Sequence, residues 1–352
     1  MRRNLVIFLL LLSAGPLVRA EPLTVVGFNI ESGDSSDHVI SLQLEKSVGV
    51  DLWGLVDVWE KRGWPERLQA GAGEGEGSGF GAVLGTTGGD SRLLTLYRSS
   101  RLQVLEHQEI TSAQVSAREP APLAVRLLLD GQQEFWFLTV DLSDQVDRRL
   151  SQSRALAEWA SAQSLPLVAV GTFNFGFEQD SSSVDEGLEV LLSSGWRWAR
   201  PIEHVGTRCG GGDRVEDFVF LAGPGAAWSD RAEVMYPQSN YCPDSGRTSN
   251  HRPVLANLET TGSAPVITGS MPERQIRPFF PEELEARQRN EPVLANPTVA
   301  KPQSQDEQAH SRGSEGSGGE STDLSREELL RRIEALEAEA RELRRELENQ
   351  PD

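Results

Sequence analysis

The chain has 352 residues, of which 25% are charged, and its formal net charge is −19 at pH 7. Such an acidic surface repels phosphate backbones at long range, which argues against non-specific binding of nucleic acid but leaves room for a local basic cleft. Loss of a leader containing Arg2, Arg3 and Arg19 would remove three positive charges and leave −22.

The first 20 residues have the layout of a secretory signal peptide. Arg2 and Arg3 precede the apolar run Leu5–Leu12, and Ala20 is a small residue at the expected cleavage point. An uncleaved anchor is the alternative, but the run is shorter than the roughly 20 apolar residues that span a bilayer. We therefore predict that residues 1–20 are removed and that the protein is exported, into a periplasm or out of the cell.

Residues 21–260 alternate strand-like and helix-like stretches, which predicts a single α/β domain large enough to bury its own core. The predicted strands are Leu23–Ile30, Asp51–Val58, Leu93–Tyr97, Leu123–Leu129, Glu134–Leu142, Leu165–Val170, Val215–Leu221 and Pro253–Leu258. The predicted helices are Ser36–Val48, Val146–Gln163 and Val184–Ser193.

Three local patterns refine this prediction. Phe135–Leu138 is apolar on both faces, which indicates a central strand covered on both sides. Ala70–Gly81 is rich in glycine and predicts a mobile loop. Trp196 and Trp198 are interpreted as packing or edge-strand residues.

The composition changes after residue 260. Residues 261–322 are dominated by Pro, Ser, Gly, Glu and Gln without apolar periodicity, which predicts a disordered linker. Residues 323–349 predict a coiled-coil helix, with Ser325 and Glu328 as its capping box. Its apolar seam consists of Leu329, Ile333, Leu336, Ala340, Leu343 and Leu347. Homodimer formation through residues 326–348 is one expectation, and a solitary charged helix is the other, because three heptads are short.

The chain contains two cysteines, Cys209 and Cys242. In an oxidising compartment such a pair most simply forms one disulfide, which would close a loop of about 33 residues. Two buried thiols are the alternative.

Polar side chains recur where the predicted strands end, which is where open α/β sheets gather functional groups. The set comprises Asn29 and Glu31 after the first strand, Asp57 and Asp141 at the ends of two others, Thr172 and Asn174 after Leu165–Val170, Asp217 near the start of its strand, and Asn250 and His251 before the last strand. Each one alone has the simpler interpretation of a turn residue. The ordered set predicts a site.

That set resembles the endonuclease/exonuclease/phosphatase superfamily over about residues 23–258. The matching segments are Val26–Asn29, Asp51–Val58, Leu94–Tyr97, Leu138–Leu142, Val170–Asn174, Asp217–Phe220 and Ser249–Val254. The resemblance implies a four-layer α/β sandwich, in which two mixed β-sheets pack together between helices. It also implies hydrolysis of phosphoesters in nucleic acids, lipids or inositol phosphates, usually with Mg²⁺. A phosphoester-containing small molecule or lipid is therefore the expected ligand.

The resemblance places a divalent cation at Asn29 and Asp57. Asn29 matches the family's metal-site asparagine, and Asp57 stands where the family has a metal-binding glutamate, one methylene longer. Mg²⁺ or another divalent cation is one expectation, and a site that binds none is the other.

The catalytic positions depart further from the family pattern. Thr172 replaces an aspartate that orients or deprotonates the attacking water, while Asn174 remains to contact phosphoryl oxygens. Asp141 replaces a histidine that donates to the phosphate, and we expect its carboxylate to repel an anionic transition state. Asn250 replaces an aspartate expected to orient His251, which would remove a charge.

Asp217 and His251 complete the candidate catalytic set of Asp141, Asn174, Asp217, Asn250 and His251.

Three hypotheses about function follow from these residues. The first is an exported phosphoesterase-like protein that hydrolyses weakly or not at all but holds a metal or an anion. The second is an active phosphodiesterase, phosphatase or nuclease in which Asp57 and Asp141 share a metal and His251 acts as the base. The third is an assembly or adaptor protein whose function lies in the linker and the coiled coil.

Overall fold

The computed structural model describes residues 21–260, apart from 62, 78, 180–183, 239, 240 and 242–247. The strands in this part of the chain are β1 Leu23–Asn29, β2 Leu52–Trp59, β3 Phe80–Leu84, β4 Ser91–Arg98, β5 Leu102–Glu109, β6 Leu123–Leu129, β7 Gln133–Asp141, β8 Leu167–Phe177, β9 Arg197–Trp198, β10 Val215–Ala222, β11 Ser229–Val234 and β12 Val254–Glu259. The helices are α1 Asp37–Lys46, α2 Trp64–Glu76, α3 Val146–Ser161 and α4 Glu186–Ser193.

The strands form two mixed sheets of six strands each. The first has the order β11-β12-β1-β2-β4-β3, and the second has the order β5-β6-β7-β8-β10-β9. One parallel pair lies inside each sheet, β1 with β2 and β7 with β8, and the other pairs are antiparallel. Each sheet therefore brings the carboxyl ends of two neighbouring strands to one edge.

Three apolar clusters separate four layers, which confirms the predicted α/β sandwich. The inner faces of the two sheets meet in a cluster that includes Phe135 and Phe137. A second cluster packs the first sheet against α1 and α2. A third packs the second sheet against α3 and α4 and includes Trp136 and Leu138. The alternation along Phe135–Leu138 confirms a central strand covered on both sides.

The prediction of a mobile loop over Ala70–Gly81 is wrong, because α2 extends to Glu76 and β3 begins at Phe80. The glycines allow α2 to approach α1 closely. A Cβ on Gly71 would overlap Ser41, and a Cβ on Gly75 would overlap the carbonyl of Glu45. Close packing between the helices therefore outweighs the weak helix propensity of glycine, which costs about 1 kcal/mol per residue.

Several predictions concern segments outside the described residues and stay predictions. These are the signal peptide at 1–20, the linker at 261–322, the coiled-coil helix at 323–349 and the homodimer through 326–348. Within the described part of the chain, no helix is long and apolar enough to cross a bilayer.

Candidate active site

The two sheets approach each other closely where Gly27 of β1 faces Gly171 of β8. A Cβ on Gly27 would lie 2.8 Å from the backbone nitrogen of Gly171, and Gly171 itself adopts a φ of 131°. Glycine is needed at position 27 because a side chain there would push the sheets apart, and at position 171 because its Cβ would overlap the carbonyl oxygen of Val140 in the neighbouring strand. This approach places Asn29 of one sheet within hydrogen-bonding distance of Thr172 of the other.

Four of the predicted strand-end residues form one chain of hydrogen bonds across the sandwich. Asn29 Nδ2 donates to Thr172 Oγ1 at 3.1 Å, and Thr172 Oγ1 donates to Asp217 Oδ1 at 2.8 Å. The other carboxylate oxygen of Asp217 lies 2.7 Å from His251 Nδ1. Thr172, Asp217 and His251 are all buried. The hydroxyl of Thr172 therefore has an assigned donor and an assigned acceptor.

Orientation of His251 does not come from residue 250, which corrects the sequence-based expectation. Asp217 makes that contact, so the site keeps an aspartate–histidine pair. Asn250 instead uses its backbone, whose N–H donates to Glu31 Oε2 at 2.8 Å and whose carbonyl accepts from Cys209 N at 2.6 Å.

Asp217 and His251 are positioned by Thr207, a fully buried residue that the sequence analysis did not select. Thr207 Oγ1 accepts hydrogen bonds from the backbone N–H groups of Glu216 at 2.9 Å and Asp217 at 3.1 Å. Its carbonyl accepts from Arg252 N at 2.6 Å, next to His251. Through its hydroxyl group and its backbone carbonyl, Thr207 therefore connects β10, which carries Asp217, to the segment that carries His251.

The Asp217 carboxylate determines the ionisation of His251. Burial disfavours the imidazolium, but the charges of Asp217, Glu31 and Glu216 and the hydrogen bond to Asp217 outweigh it and raise the pKa of His251 above 6.5. With Nδ1 held by Asp217, the second ring nitrogen is left for a ligand. The raised pKa favours the imidazolium form of His251, which can donate to a phosphoryl oxygen, over the neutral form that would accept a proton from water.

Asp141 lies at the end of β7 and is mostly shielded from solvent. Burial and the neighbouring charge of Asp57 raise its pKa to about 8, against the opposing effect of His251. Without a bound cation this carboxyl group is therefore mainly neutral at pH 7. The expectation that Asp141 repels an anionic ligand stays a prediction, and the raised pKa favours instead a neutral carboxyl group that can donate a hydrogen bond.

Asn29, Glu31 and Asp57 offer oxygen atoms for a cation. Asn29 Oδ1 accepts from Glu31 N at 3.2 Å, and Ser32 N donates to the carbonyl of Asp57 at 3.1 Å, so the ends of β1 and β2 are in contact. The described residues contain no cluster of three or more His, Cys, Asp or Glu side chains placed to hold a metal. Two carboxylates and one amide oxygen are donors of the type that Mg²⁺ uses, since it commonly binds one or two protein carboxylates together with water and substrate phosphate.

Three residues of this edge have a left-handed backbone that non-glycine residues rarely adopt. The φ angles are 45° at Glu31, 56° at Asp57 and 56° at Asn174. Asn174 also donates from Nδ2 to the carbonyl of Leu142 at 2.7 Å, which fixes its amide. Such conformations cost on the order of 1–3 kcal/mol each and concentrate at functional sites.

Glu31 is the acidic residue that the sequence analysis named at a strand end but did not assign to the site. It follows Asn29, the last residue of β1, by two positions, and this place just beyond the carboxyl end of a strand was the available signal. The Cys209–Cys242 disulfide stays a prediction, because Cys242 lies outside the described residues. None of the cysteines within those residues is free.

By sequence, no protein-family model and no curated protein matches the chain. Solved structures do match. An endonuclease/exonuclease/phosphatase family protein from Bacteroides thetaiotaomicron has a TM-score of 0.53 at 16% identity, covering 68% of this chain and 98% of its own. A protein of the same family from Leptotrichia buccalis C-1013-b has a TM-score of 0.53 at 10% identity, covering 67% and 99%. The mannosyl-6-phosphatase Bt3783 of Bacteroides thetaiotaomicron VPI-5482 has a TM-score of 0.50 at 15% identity, covering 67% and 99%. These similarities show the fold.

Proposed function

We propose, on the premise that the chain has the endonuclease/exonuclease/phosphatase fold, that it binds phosphoesters with a divalent cation and hydrolyses them weakly or not at all. The observation that carries this proposal is the environment of Thr172. Its hydroxyl accepts from Asn29 and donates to Asp217, and a threonine hydroxyl is not a base near neutral pH. General-base catalysis typically contributes 10²–10⁴-fold, so its loss slows hydrolysis without abolishing binding.

The remaining groups are suited to holding a phosphate. A cation held by Asn29, Glu31 and Asp57 would neutralise negative charge on phosphoryl oxygens when bound. Asp217 orients His251 and favours its imidazolium form. Asn174 keeps one amide hydrogen beyond the one used for Leu142. Each of these groups stabilises a bound phosphoryl group, and none of them removes a proton from water.

A phosphate monoester is the first substrate class to test, because one protein of this fold is a mannosyl-6-phosphatase. The full chain without residues 1–20 is assayed on p-nitrophenyl phosphate, bis-p-nitrophenyl phosphate and plasmid DNA with Mg²⁺, Mn²⁺ or Ca²⁺. We expect slow or no turnover, together with cation-dependent protection by inorganic phosphate against thermal unfolding. Rapid cation-dependent turnover that disappears in His251→Ala would contradict the proposal.

An active enzyme with a rearranged site is the second candidate, and the proximity of Asp57 and Asp141 favours it. The charge of Asp57 raises the pKa of Asp141, so the two carboxyl groups interact, and this candidate requires a cation held between them. His251 would then act as a base at alkaline pH, once its imidazolium loses a proton. This candidate predicts that turnover increases when the pH is raised above the pKa of His251. The first candidate predicts that phosphate binds more tightly when the pH is below that pKa.

Export through residues 1–20, the Cys209–Cys242 disulfide and a homodimer through residues 326–348 are part of the proposal. Sedimentation of the full chain and of a version ending at Thr260 tests self-association. A dimer that becomes a monomer on truncation supports the third hypothesis of an assembly protein. Monomers in both cases contradict it.

A further inference from the structure

A cavity of about 290 Å³ lies along β11, the outermost strand of the first sheet. Its walls are β11 with the residues that follow it and the segment that follows β9. The lining includes Ile202, Glu203, Val205, Arg231, Glu233 and Tyr236, and it contains none of the candidate active-site residues. The volume is close to the lower limit of roughly 300 Å³ for pockets that hold small molecules, so it suits one or two side chains of a peptide better than a cofactor.

Hydrogen bonds fix the two walls of this cavity to one another. Ile202 N donates to the carbonyl of Ala232 in β11 at 3.2 Å. Behind the cavity, the buried Arg252 donates from Nε to the carbonyl of Tyr236 at 3.1 Å and from Nη1 to the carbonyl of Gly206 at 2.8 Å. Because both walls are fixed in this way, a peptide segment would find the cavity already formed.

The lining combines an exposed apolar side chain with an excess of acidic groups. Ile202 is 69% exposed, the largest value among the exposed large apolar side chains of the described residues. Glu203 is exposed and Glu233 half-buried, against Arg231 as the single basic side chain of the lining. Arg231 is exposed and offers a guanidinium on which an aromatic ring can stack. The cavity therefore fits a segment that is basic, apolar and aromatic.

The chain itself contains such a segment at residues 274–280, which lie outside the described residues. It carries two positive charges, on Arg274 and Arg277, and no acidic residue. It also contains Phe279 and Phe280, the only aromatic residues of the sequence after residue 260. In a chain with a net charge of −19, a basic and aromatic stretch of this kind is unusual.

The length of chain that precedes this segment matches the distance to the cavity. β12 ends at Glu259, which pairs with Ser229 at the start of β11. Tyr236 in the lining is seven residues beyond Ser229, or about 23 Å along an extended chain. A flexible chain of the 14 residues from Thr260 to Arg274 has a root-mean-square end-to-end distance of about 20 Å. Such a match gives the tethered segment its highest effective concentration at the cavity.

We propose that residues 274–280 dock in this cavity on the domain of their own chain. Ile276 packs on Ile202, and the two arginines of the segment pair with Glu203 and Glu233. The docked segment covers the exposed apolar side chain and part of the edge strand β11. Covering an edge in this way prevents it from pairing with other chains.

The test is hydrogen exchange of backbone amides, measured by mass spectrometry on the full chain without residues 1–20. We expect the amides of residues 275–280 to exchange about tenfold more slowly than those of a synthetic peptide of the same sequence. Because the segment is tethered to its own domain, this protection should be the same at two protein concentrations that differ tenfold.

Two variants separate docking in this cavity from other causes of protection. Ile276→Asp changes the segment without touching the domain and should remove the protection, whereas Leu284→Asp, the same change later in the predicted linker, should leave it intact. Ile202→Asp changes the cavity at an exposed side chain and should also remove the protection. Its matched control is Val146→Asp, at an exposed apolar residue at the start of α3, which should have no effect.

Three results would overturn the inference. One is exchange of residues 275–280 at the rate of the free peptide in the wild type. Another is protection that persists in Ile202→Asp, which would mean that the segment contacts a different surface. The third is protection that increases with protein concentration, which would mean that the segment binds a second copy of the chain.

Discussion

Both ends of the sandwich carry buried polar networks, but the two networks balance their charges in opposite ways. At the end away from the active site, Asp51 accepts from Thr24 N at 2.9 Å and pairs with Arg98 at 3.2 Å and Arg101 at 2.8 Å. Arg101 also pairs with Asp130 and donates to backbone carbonyls at residues 21 and 22. Burial raises the pKa of Asp51 despite these partners, yet each charge there faces an opposite one.

The active-site end has an excess of acidic groups. Glu31, Asp141 and Asp217 interact with a single buried histidine, and burial together with the charge of Asp57 raises the pKa of Asp141 to about 8. The two ends of the sandwich also differ in backbone conformation. Left-handed residues cluster at the active-site edge, whereas at the other end Asp130 adopts this conformation in a hairpin turn between β6 and β7. One end therefore stabilises the fold, and the other retains unfavourable charges and conformations that a ligand would relieve.

The largest expected effect on stability is at the balanced end. Arg101→Ala leaves the buried Asp51 with one cation fewer and should lower the free energy of unfolding by about 3–5 kcal/mol. Urea unfolding of the chain without residues 1–20 measures the change. Lys61→Ala is the control, because its ion pair with Asp90 is exposed and its loss should leave the unfolding curve unchanged. A loss below about 1 kcal/mol for Arg101→Ala would contradict the contrast between the two ends.

The next largest expected effect is an increase in stability, and it concerns Asp141 at the active-site end. Asp141 has a folded-state pKa raised to about 8, against roughly 3.9 when unfolded, so its contribution to stability is complete below pH 4 and is lost as the pH rises to 8. Asp141→Asn should therefore stabilise the cation-free protein by roughly 2–4 kcal/mol at pH 8.5 and hardly at all at pH 4.

Urea unfolding at both pH values separates this effect from a general change in packing. Glu158→Gln, on the exposed face of α3, provides the comparison and should show no pH-dependent difference from the wild type. A stabilisation by Asp141→Asn that is equal at pH 4 and pH 8.5 would mean that Asp141 is not protonated in the folded protein.

A smaller effect concerns the contact between Asp217 and His251. Thr207→Val removes the acceptor of two buried N–H groups and should lower the free energy of unfolding by about 1–3 kcal/mol. The substitution should also lower the pKa of His251, because Asp217 is then held less firmly against it. Nuclear magnetic resonance titration of His251 measures that pKa, and Asp217→Asn gives the lower limit. Thr207→Ser, which keeps the hydroxyl, should restore the wild-type value. An unchanged titration in Thr207→Val would exclude a positioning role.

The sequence predicted the centre of each sheet better than its edges. The strands without a predicted counterpart are β3, β5, β9 and β11, and these four are the edge strands of the two sheets. Of these, only β9 was anticipated in part, through Trp198. Edge strands are short or carry charged residues that discourage pairing with other chains, as in β5 and β11. Their apolar pattern is therefore weak, whereas central strands covered on both faces read as continuous apolar runs.

For the candidate site, the sequence predicted which residues lie there better than it predicted their contacts with one another. Strand-end position identified Asn29, Asp57, Asp141, Thr172, Asn174, Asp217 and His251. It did not show that Asp217, 34 residues before His251, is the partner of that histidine. It also did not show that Asp141 is protonated, because a pKa depends on burial and on neighbours brought together by folding. No sequence pattern pointed to Thr207, because its role depends on hydrogen bonds that its hydroxyl accepts from the backbone N–H groups of Glu216 and Asp217.

The most direct test of the central claim restores a carboxylate at the position of Thr172. The measurement is the turnover number for the monoester p-nitrophenyl phosphate in Mg²⁺, comparing the wild type with Thr172→Asp and with the uncharged, similarly shaped Thr172→Asn. If the site lacks only a base, Thr172→Asp should turn over about 10²-fold faster than both of the others. Rapid turnover by the wild type, or equal rates for folded Thr172→Asp and Thr172→Asn, would contradict the account.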